Sequence, residues 1–169
     1  MEEDKMTLET DRLYLIALTE KQLNLWIEDC SALEKELNCK YCAEPLEGIF
    51  LDIVKGQYEA TKKDKENYCY HSFWFLVRKF DRVVVGSADF KDVPNNNGEI
   101  EIGYGLGKEY EHNGYMTEAV KAMCEWAMKQ KNVLHVIAET DTDGISSQSI
   151  LKRCGFQKYK KENTIWWKL

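Results

Sequence analysis

A chain of 169 residues, 44% of them hydrophobic, is long enough to bury a proper core within one domain. Its formal net charge of −6 argues against a phosphate-backbone partner such as DNA or RNA, and its apolar runs, "FWFLV" and "VVV" among them, are far too short to cross a bilayer. Residues 1–70 carry 16 acidic and 9 basic side chains, which suits a cationic substrate if this part shapes the substrate surface; a solvated acidic face accounts for the same numbers.

The opening "MEEDKMTLET" is acidic and polar, unlike a secretory signal or an Arg-rich transit peptide, so a cytoplasmic protein is expected. "DRLYLIAL" (Asp11–Leu18) has a strand pattern, and Thr19 with Gln22 forms a capping box for the helix that follows. Residues 31–65 are polar, with a helix expected from Pro45 to about Lys63. "HSFWFLVRK", "DRVVVGSADFKDV" and "GEIEIGYGL" are three strands in a row, joined by turn-like "FD" and "PNNNG", which suits an antiparallel meander. After a helix at 115–129, "VLHVIAETD" (Val133–Asp141) reads as a strand buried on both faces, with His135 as a satisfied core histidine. "GISSQSILKRC" is a short helix ended by Gly155, and "GFQKYKKENTIWWKL" closes as a hairpin. Its Trp166-Trp167 pair is expected to divide between core and surface or interface, which leaves a homodimer open.

Strand–helix–strand from Gly98 to Asp141 implies two parallel neighbours joined by a right-handed crossover. The expected class is therefore α+β or mixed α/β, a mostly antiparallel sheet of about seven strands with one splayed parallel pair, flanked by helices. Where parallel neighbours splay, their backbone groups are left for a ligand to pair.

Six cysteines without an export signal suggest free thiols. "CKYC" (Cys39–Cys42) has C-x-x-C spacing, and Cys69 with His71 could add ligands, but the second pair has no common zinc spacing and no strand pattern precedes the first. No metal is expected.

The helix after the meander carries an apolar stripe of Met116, Ala119, Val120, Met123, Cys124 and Ala127, with Glu118, Lys121, Glu125 and Lys129 opposite and spaced for charge pairs along the helix. It begins through His112-Asn113-Gly114 with no Ser, Thr or Asp cap. An uncapped helix start offers about four amides and roughly half a positive charge, and a glycine lets an anion approach them. The motif is neither a P-loop nor a dinucleotide fingerprint.

"IEIGYGLGKEYEHNGYMTEAVKAMCEWA" closely resembles the coenzyme-A-binding core of the GNAT N-acetyltransferases, in the branch that includes ribosomal-protein N-terminal and spermidine acetyltransferases. The family's pyrophosphate loop, Gln/Arg-x-x-Gly-x-Gly/Ala, corresponds to Glu111, His112, Asn113, Gly114, Tyr115 and Met116. "TEA" from Thr117, "EIGY" from Glu101 to Tyr104, "LETDRLYL" near the start, and Ser147 with Leu151…Gly155-Phe156 match in order. The resemblance implies an acetyltransferase that holds acetyl-CoA in the splay, along Tyr104, Gly105 and Leu106, on the loop from Glu111 into Thr117, and beside Ser147. An amine attacks the thioester directly. The alternative is a catalytically silent acyl-CoA-binding regulatory module. Three departures bear on it: Glu111 puts a carboxylate where Gln or Arg is usual, Gly144 replaces an Asn that typically bonds the pantetheine arm (Asp143 and Ser146 are the neighbouring candidates to substitute), and Leu151 replaces a tyrosine general acid.

An alkylamine of pKa about 10.4 is only about one part in a thousand neutral near pH 7.4, an obstacle of roughly 4 kcal/mol, so a base is valuable. Glu99 and Glu101 share one strand face, and Glu101, from the "EIGY" motif, is preferred. His112 is expected to cap the loop or touch phosphate.

Overall fold

The computed structural model describes residues 5–169; the acidic Glu2, Glu3 and Asp4 lie outside the described residues. Nine strands form one sheet. They are β1 (Thr7–Glu9), β2 (Leu13–Ala17), β3 (Lys40–Tyr41), β4 (Phe73–Arg78), β5 (Val83–Phe90), β6 (Glu99–Leu106), β7 (His135–Asp141), β8 (Gln157–Lys161) and β9 (Thr164–Lys168). Their order is β1-β2-β4-β5-β6-β7-β9-β8, antiparallel except at β6–β7, and two-residue β3 joins β5 in parallel off that path. The helices are α1 (Glu20–Glu28), α2 (Cys30–Leu37), α3 (Gly48–Lys63), α4 (Tyr68–His71), α5 (Tyr115–Met128) and α6 (Ile145–Arg153). The mixed α/β class, the meander β4–β5–β6 and the crossover through α5 agree with the sequence pattern.

Two cores share the sheet. Trp74, Leu76, Phe90, Ile100 and Ile102 face the α5 stripe of Met116, Ala119, Val120, Met123, Cys124 and Ala127, all buried, with Leu151 of α6. On the opposite face Phe73, Phe75 and Val77 pack on α1 and α3, where the Trp26 ring meets Phe75 at 4.9 Å and Phe50 at 5.7 Å between centroids. β4 is buried on both faces, which is why "FWFLV" shows no alternation.

A bulge decides what the sheet presents. Val77 pairs with Val84 but Leu76 pairs with Gly86, so Val85 is an extra residue on β5. Because strand side chains alternate with period two, that one-residue shift moves Ser87 and Asp89 to the α3 face while Ala88 and Phe90 enter the core under α5.

Several sequence expectations need correction. β1, β3 and α2 were not anticipated, because each is shorter than the windows over which periodicity shows. α3 starts at Gly48, with Pro45 in the preceding turn where its carbonyl accepts from the Glu47 amide. β7 is buried on one face only: Val136, Ala138 and Thr140 point in, while His135 is exposed, its Nδ1 lying 3.2 Å from the Leu169 carbonyl, so it is no core histidine. Trp167 is buried, its Nε1 donating to Thr140 Oγ1 at 3.0 Å, and Trp166 is half-buried.

The Thr19–Gln22 capping box is formed on both sides, with Gln22 N to Thr19 Oγ1 at 3.2 Å and Thr19 N to Gln22 Oε1 at 3.0 Å. Both residues are buried. Thr19→Ala is expected to cost about 1 kcal/mol of stability, read as a lower urea midpoint with an unchanged slope.

Candidate functional site

The β6–β7 ladder is short. It runs Glu99↔His135, Ile100↔Val136, Glu101↔Ile137 and then stops, while β6 continues along β5 to Leu106 and β7 continues along β9 to Asp141. The two strands part after Glu101. Lys91 donates to the Glu101 carbonyl at 3.0 Å and Gly107 to the Val85 carbonyl at 2.8 Å, so the odd residues of β6 bond β5. By the alternation of an antiparallel ladder, Tyr104 and Leu106 turn their N–H and C=O groups into the splay, and Gly105 turns its own toward Ser87.

The uncapped helix start is real. Gly114 precedes α5 at φ 80° with no side-chain cap, and its carbonyl accepts from the Glu118 amide at 3.1 Å. The amides of Tyr115, Met116 and Thr117 are therefore the group of free donors that any α-helix leaves at its start. The Asn113 side chain donates to the Tyr110 and Glu111 carbonyls and holds the loop's curve; His112 (φ 66°) and Glu111 are exposed. Thr117 Oγ1 is buried without a partner, an orphan hydroxyl in the same first turn.

Arg12 of the β1–β2 turn was not singled out from sequence. Its Nε bonds Glu118 Oε1 at 2.8 Å, its Nη1 donates to the Asn113 carbonyl at 2.9 Å, and its guanidinium lies 4.4 Å from the centre of the Tyr115 ring. A Cβ built on Gly114 would sit 3.3 Å from its Nη2. Gly114 is thus required by its left-handed backbone and by a guanidinium crossing where a side chain would go. Glu118 is committed to Arg12 and Thr10 of the first hairpin, a correction to its expected pairing along α5.

Across the splay, Tyr104 Oη and Ser147 Oγ of α6 are 2.8 Å apart. Burial pushes the Tyr104 hydroxyl up to about 12, with the Ser147 bond pulling the other way, so it keeps its proton. Leu151 is buried in the core and offers no acid. α6 also starts without a side-chain cap at Gly144, and Asp143 and Ser146 are exposed.

On the other face of β6 the carboxylates separate. Glu99 lies in the paired part of the ladder, bound to Lys168 Nζ at 2.9 Å and to Asn95 Nδ2 at 3.2 Å, and the Lys168 bond chiefly holds its carboxyl below the usual range. The structure does not bring Glu99 to the splay. Glu101 is at the branch point, and its Oε2 is 2.6 Å from Lys91 Nζ. Beside them stands Asp89, also unanticipated: it is 6% exposed, paired in register with Gly103, and within 3.4 Å of Gln57 Nε2 from α3.

Among the described residues no group of three or more His, Cys, Asp or Glu is placed to hold a metal, and burial pushes the Cys39 and Cys154 thiols up to about 11.

The splay, the bare helix start and the strand order together have a counterpart among known proteins. The family described as acetyltransferase (GNAT) domain matches residues 12–157. The chain belongs to this family. It is 29% identical over 149 residues to the N-acetyltransferase YjdG of Bacillus subtilis, itself uncharacterized, covering 88% of each chain. Its fold is similar to that of RimL, a ribosomal alpha-N-protein acetyltransferase solved with coenzyme A (TM-score 0.66, 14% identity, 97% of each chain). It is also similar to MccE, a microcin self-immunity acetyltransferase solved with acetyl-CoA and AMP (TM-score 0.60, 18% identity, 95% of this chain and 93% of that one). The chemistry of this GNAT acetyltransferase is acetyl-CoA-dependent acetyl transfer. Its residues fit that co-substrate: free amides and a guanidinium suit a pyrophosphate, and the orphan Thr117 hydroxyl and the unpaired strand edge supply further polar partners.

Arg12 generates a prediction. Arg12→Ala removes a charge-assisted bond to the loop carbonyl, a contribution of about 1.5–3 kcal/mol, and should weaken acetyl-CoA binding on the order of tenfold or more by titration calorimetry. Arg12→Lys should recover little, because one ammonium cannot span Glu118 and Asn113 as the planar fork does.

Proposed function

We propose that the chain works as one acetyltransferase domain that moves an acetyl group from acetyl-CoA to a primary amine, cationic before reaction, by direct attack in a ternary complex. The observation that carries this reading is the parting of β6 and β7 immediately after Glu101 beside the uncapped start of α5. It puts an anion site, a row of unpaired strand amides and a group of carboxylates around one opening.

When bound, acetyl-CoA supplies the activated thioester. The amides from Tyr115 to Thr117, with Arg12 behind the loop, would hold the pyrophosphate. Glu111, exposed at the loop's entrance, works against them only through solvent-screened repulsion. The Tyr104 and Leu106 amides would pair the pantetheine arm and offer a donor to the acyl oxygen as charge builds on it. Tyr104, which keeps its proton, would donate to the departing thiolate with Ser147 orienting its hydroxyl.

The amine enters from the face opposite α5. The α5 face is filled by Ile102, Met116 and Leu151. The other carries Asp89, Glu99, Glu101 and Glu139 with Lys91 and Lys168 among them, an excess of negative charge that favours an ammonium. A protein N-terminus, a polyamine or another small amine meets that requirement.

Mixing the protein with acetyl-CoA and a thiol-reactive dye tests the reading. Free thiol should be released when spermidine or a peptide with a free N-terminus is added, and not with the N-acetylated peptide. Release that is equal with and without an amine would contradict it.

A further inference from the structure

Asp89 is a carboxyl for which the fold makes unusual room. The Val85 bulge turns it to the α3 face, where it is buried, and its register partner is Gly103, the second residue beyond the last β6–β7 pair. A Cβ on Gly103 would sit 2.7 Å from Asp89 Oδ1 and 3.3 Å from Lys91 Cε. Any side chain there would displace the carboxyl or the lysine. The absent side chain also leaves Oδ1 lying against the bare backbone of Gly103, one residue before Tyr104 on β6. Against this, Glu101 is tied to Lys91 at 2.6 Å, and a carboxylate already neutralised by an ammonium is a poor proton acceptor.

We propose that Asp89 is the general base of the reaction, receiving the amine's proton directly or through one water, with Lys91 and Glu101 as the ion pair that positions it. The inference rests on the direct-attack reading above and deepens it. In the step, the ammonium first gives one proton to Asp89, which loses it to solvent; the neutral nitrogen then forms a bond to the acyl carbon as the carbon–sulfur bond breaks. The nitrogen's second proton goes to Asp89, the sulfur takes one from Tyr104, and Tyr104 recovers its proton from solvent, so that one proton is released overall.

The electrostatics agree with the geometry. Burial pushes the Asp89 carboxyl up to about 7, Lys91 on its own strand lowers it, and Glu101 on β6 raises it. Glu139 on β7 acts on Lys91. From α3 the only group at hand is the neutral Gln57 amide, which also holds the His71 carbonyl at 2.6 Å; the His71 ring itself is turned to Asp64 at 2.9 Å and Asp92 at 3.8 Å. A base tuned near neutrality is charged under working conditions yet still willing to take a proton.

The sign follows. A carboxyl raised in the folded state holds a proton that the unfolded chain releases, so ionising it above about pH 7 disfavours the fold. Asp89→Asn should therefore melt higher than wild type at pH 8, with the gain shrinking toward pH 4. The same variant should bind acetyl-CoA with unchanged affinity by calorimetry. It should lose about 100-fold or more in thiol release at pH 8, and the deficit should shrink below pH 6, where wild type is protonated too. Taking the ratio of variant to wild type cancels the amine's own titration. If Asp89→Asn does not fold, Gly103→Ala displaces the same carboxyl and should show the same pH-dependent deficit. A deficit equal at all pH values, no deficit, or a pH-dependent deficit in Glu101→Gln alone would overturn the proposal. Wild type that releases no thiol with any amine would overturn the direct-attack reading and this inference with it; activity in wild type with an unaffected Asp89→Asn overturns this inference only.

Discussion

Everything at the site depends on two strands that stop pairing. β6 is bound to β5 as far as Leu106 and β7 to β9 as far as Asp141, but their mutual ladder ends at Glu101. Each strand keeps its other neighbour, so the sheet stays whole while a row of backbone donors and acceptors at its centre is released from pairing. Buried backbone groups left in this state are costly unless something pairs them. A co-substrate with an extended amide-bearing arm is the kind of molecule that can.

Small features hold the opening in place, and each is a matter of where a side chain is absent or turned. Gly114 has none, which permits φ 80° and the passage of Arg12. Gly103 has none, which admits Asp89. The bulge at Val85 turns Ser87 and Asp89 to the α3 face and sends Ala88 and Phe90 into the core under α5. The first hairpin reaches the site through Arg12 and Thr10, both bound to Glu118, so the loop before α5 is anchored to a segment about a hundred residues away in the sequence.

Much of this architecture is legible from residue order. The α5 stripe, the three meander strands, the crossover and the bare helix start all announce themselves through periodicity or the lack of a cap, since those signals are local. The base we propose is harder to see. "SADF" shows alternation, yet which of its residues faces the site is set by a one-residue bulge that no local pattern marks, so attention falls on Glu99 and Glu101 instead. Their spacing is right, but Lys168 and Lys91, distant in sequence or on the next strand, take them up as ion pairs. Arg12 is invisible for the same reason: its partners Asn113 and Glu118 lie about a hundred residues away. In β7 the run "VLHVIA" has enough apolar residues to suggest burial on both sides, but Val133 and Leu134 precede the strand and His135 lies on its open face.

Amide hydrogen exchange tests the central claim most directly, because it reads the unpaired backbone itself. Acetyl-CoA should slow exchange at Tyr104 and Leu106 on β6 and at Tyr115, Met116 and Thr117 at the start of α5. Glu118, whose amide is already bonded to the Gly114 carbonyl, should change far less. Protection that leaves these five amides untouched, with acetyl-CoA bound, would place the co-substrate elsewhere and contradict the account.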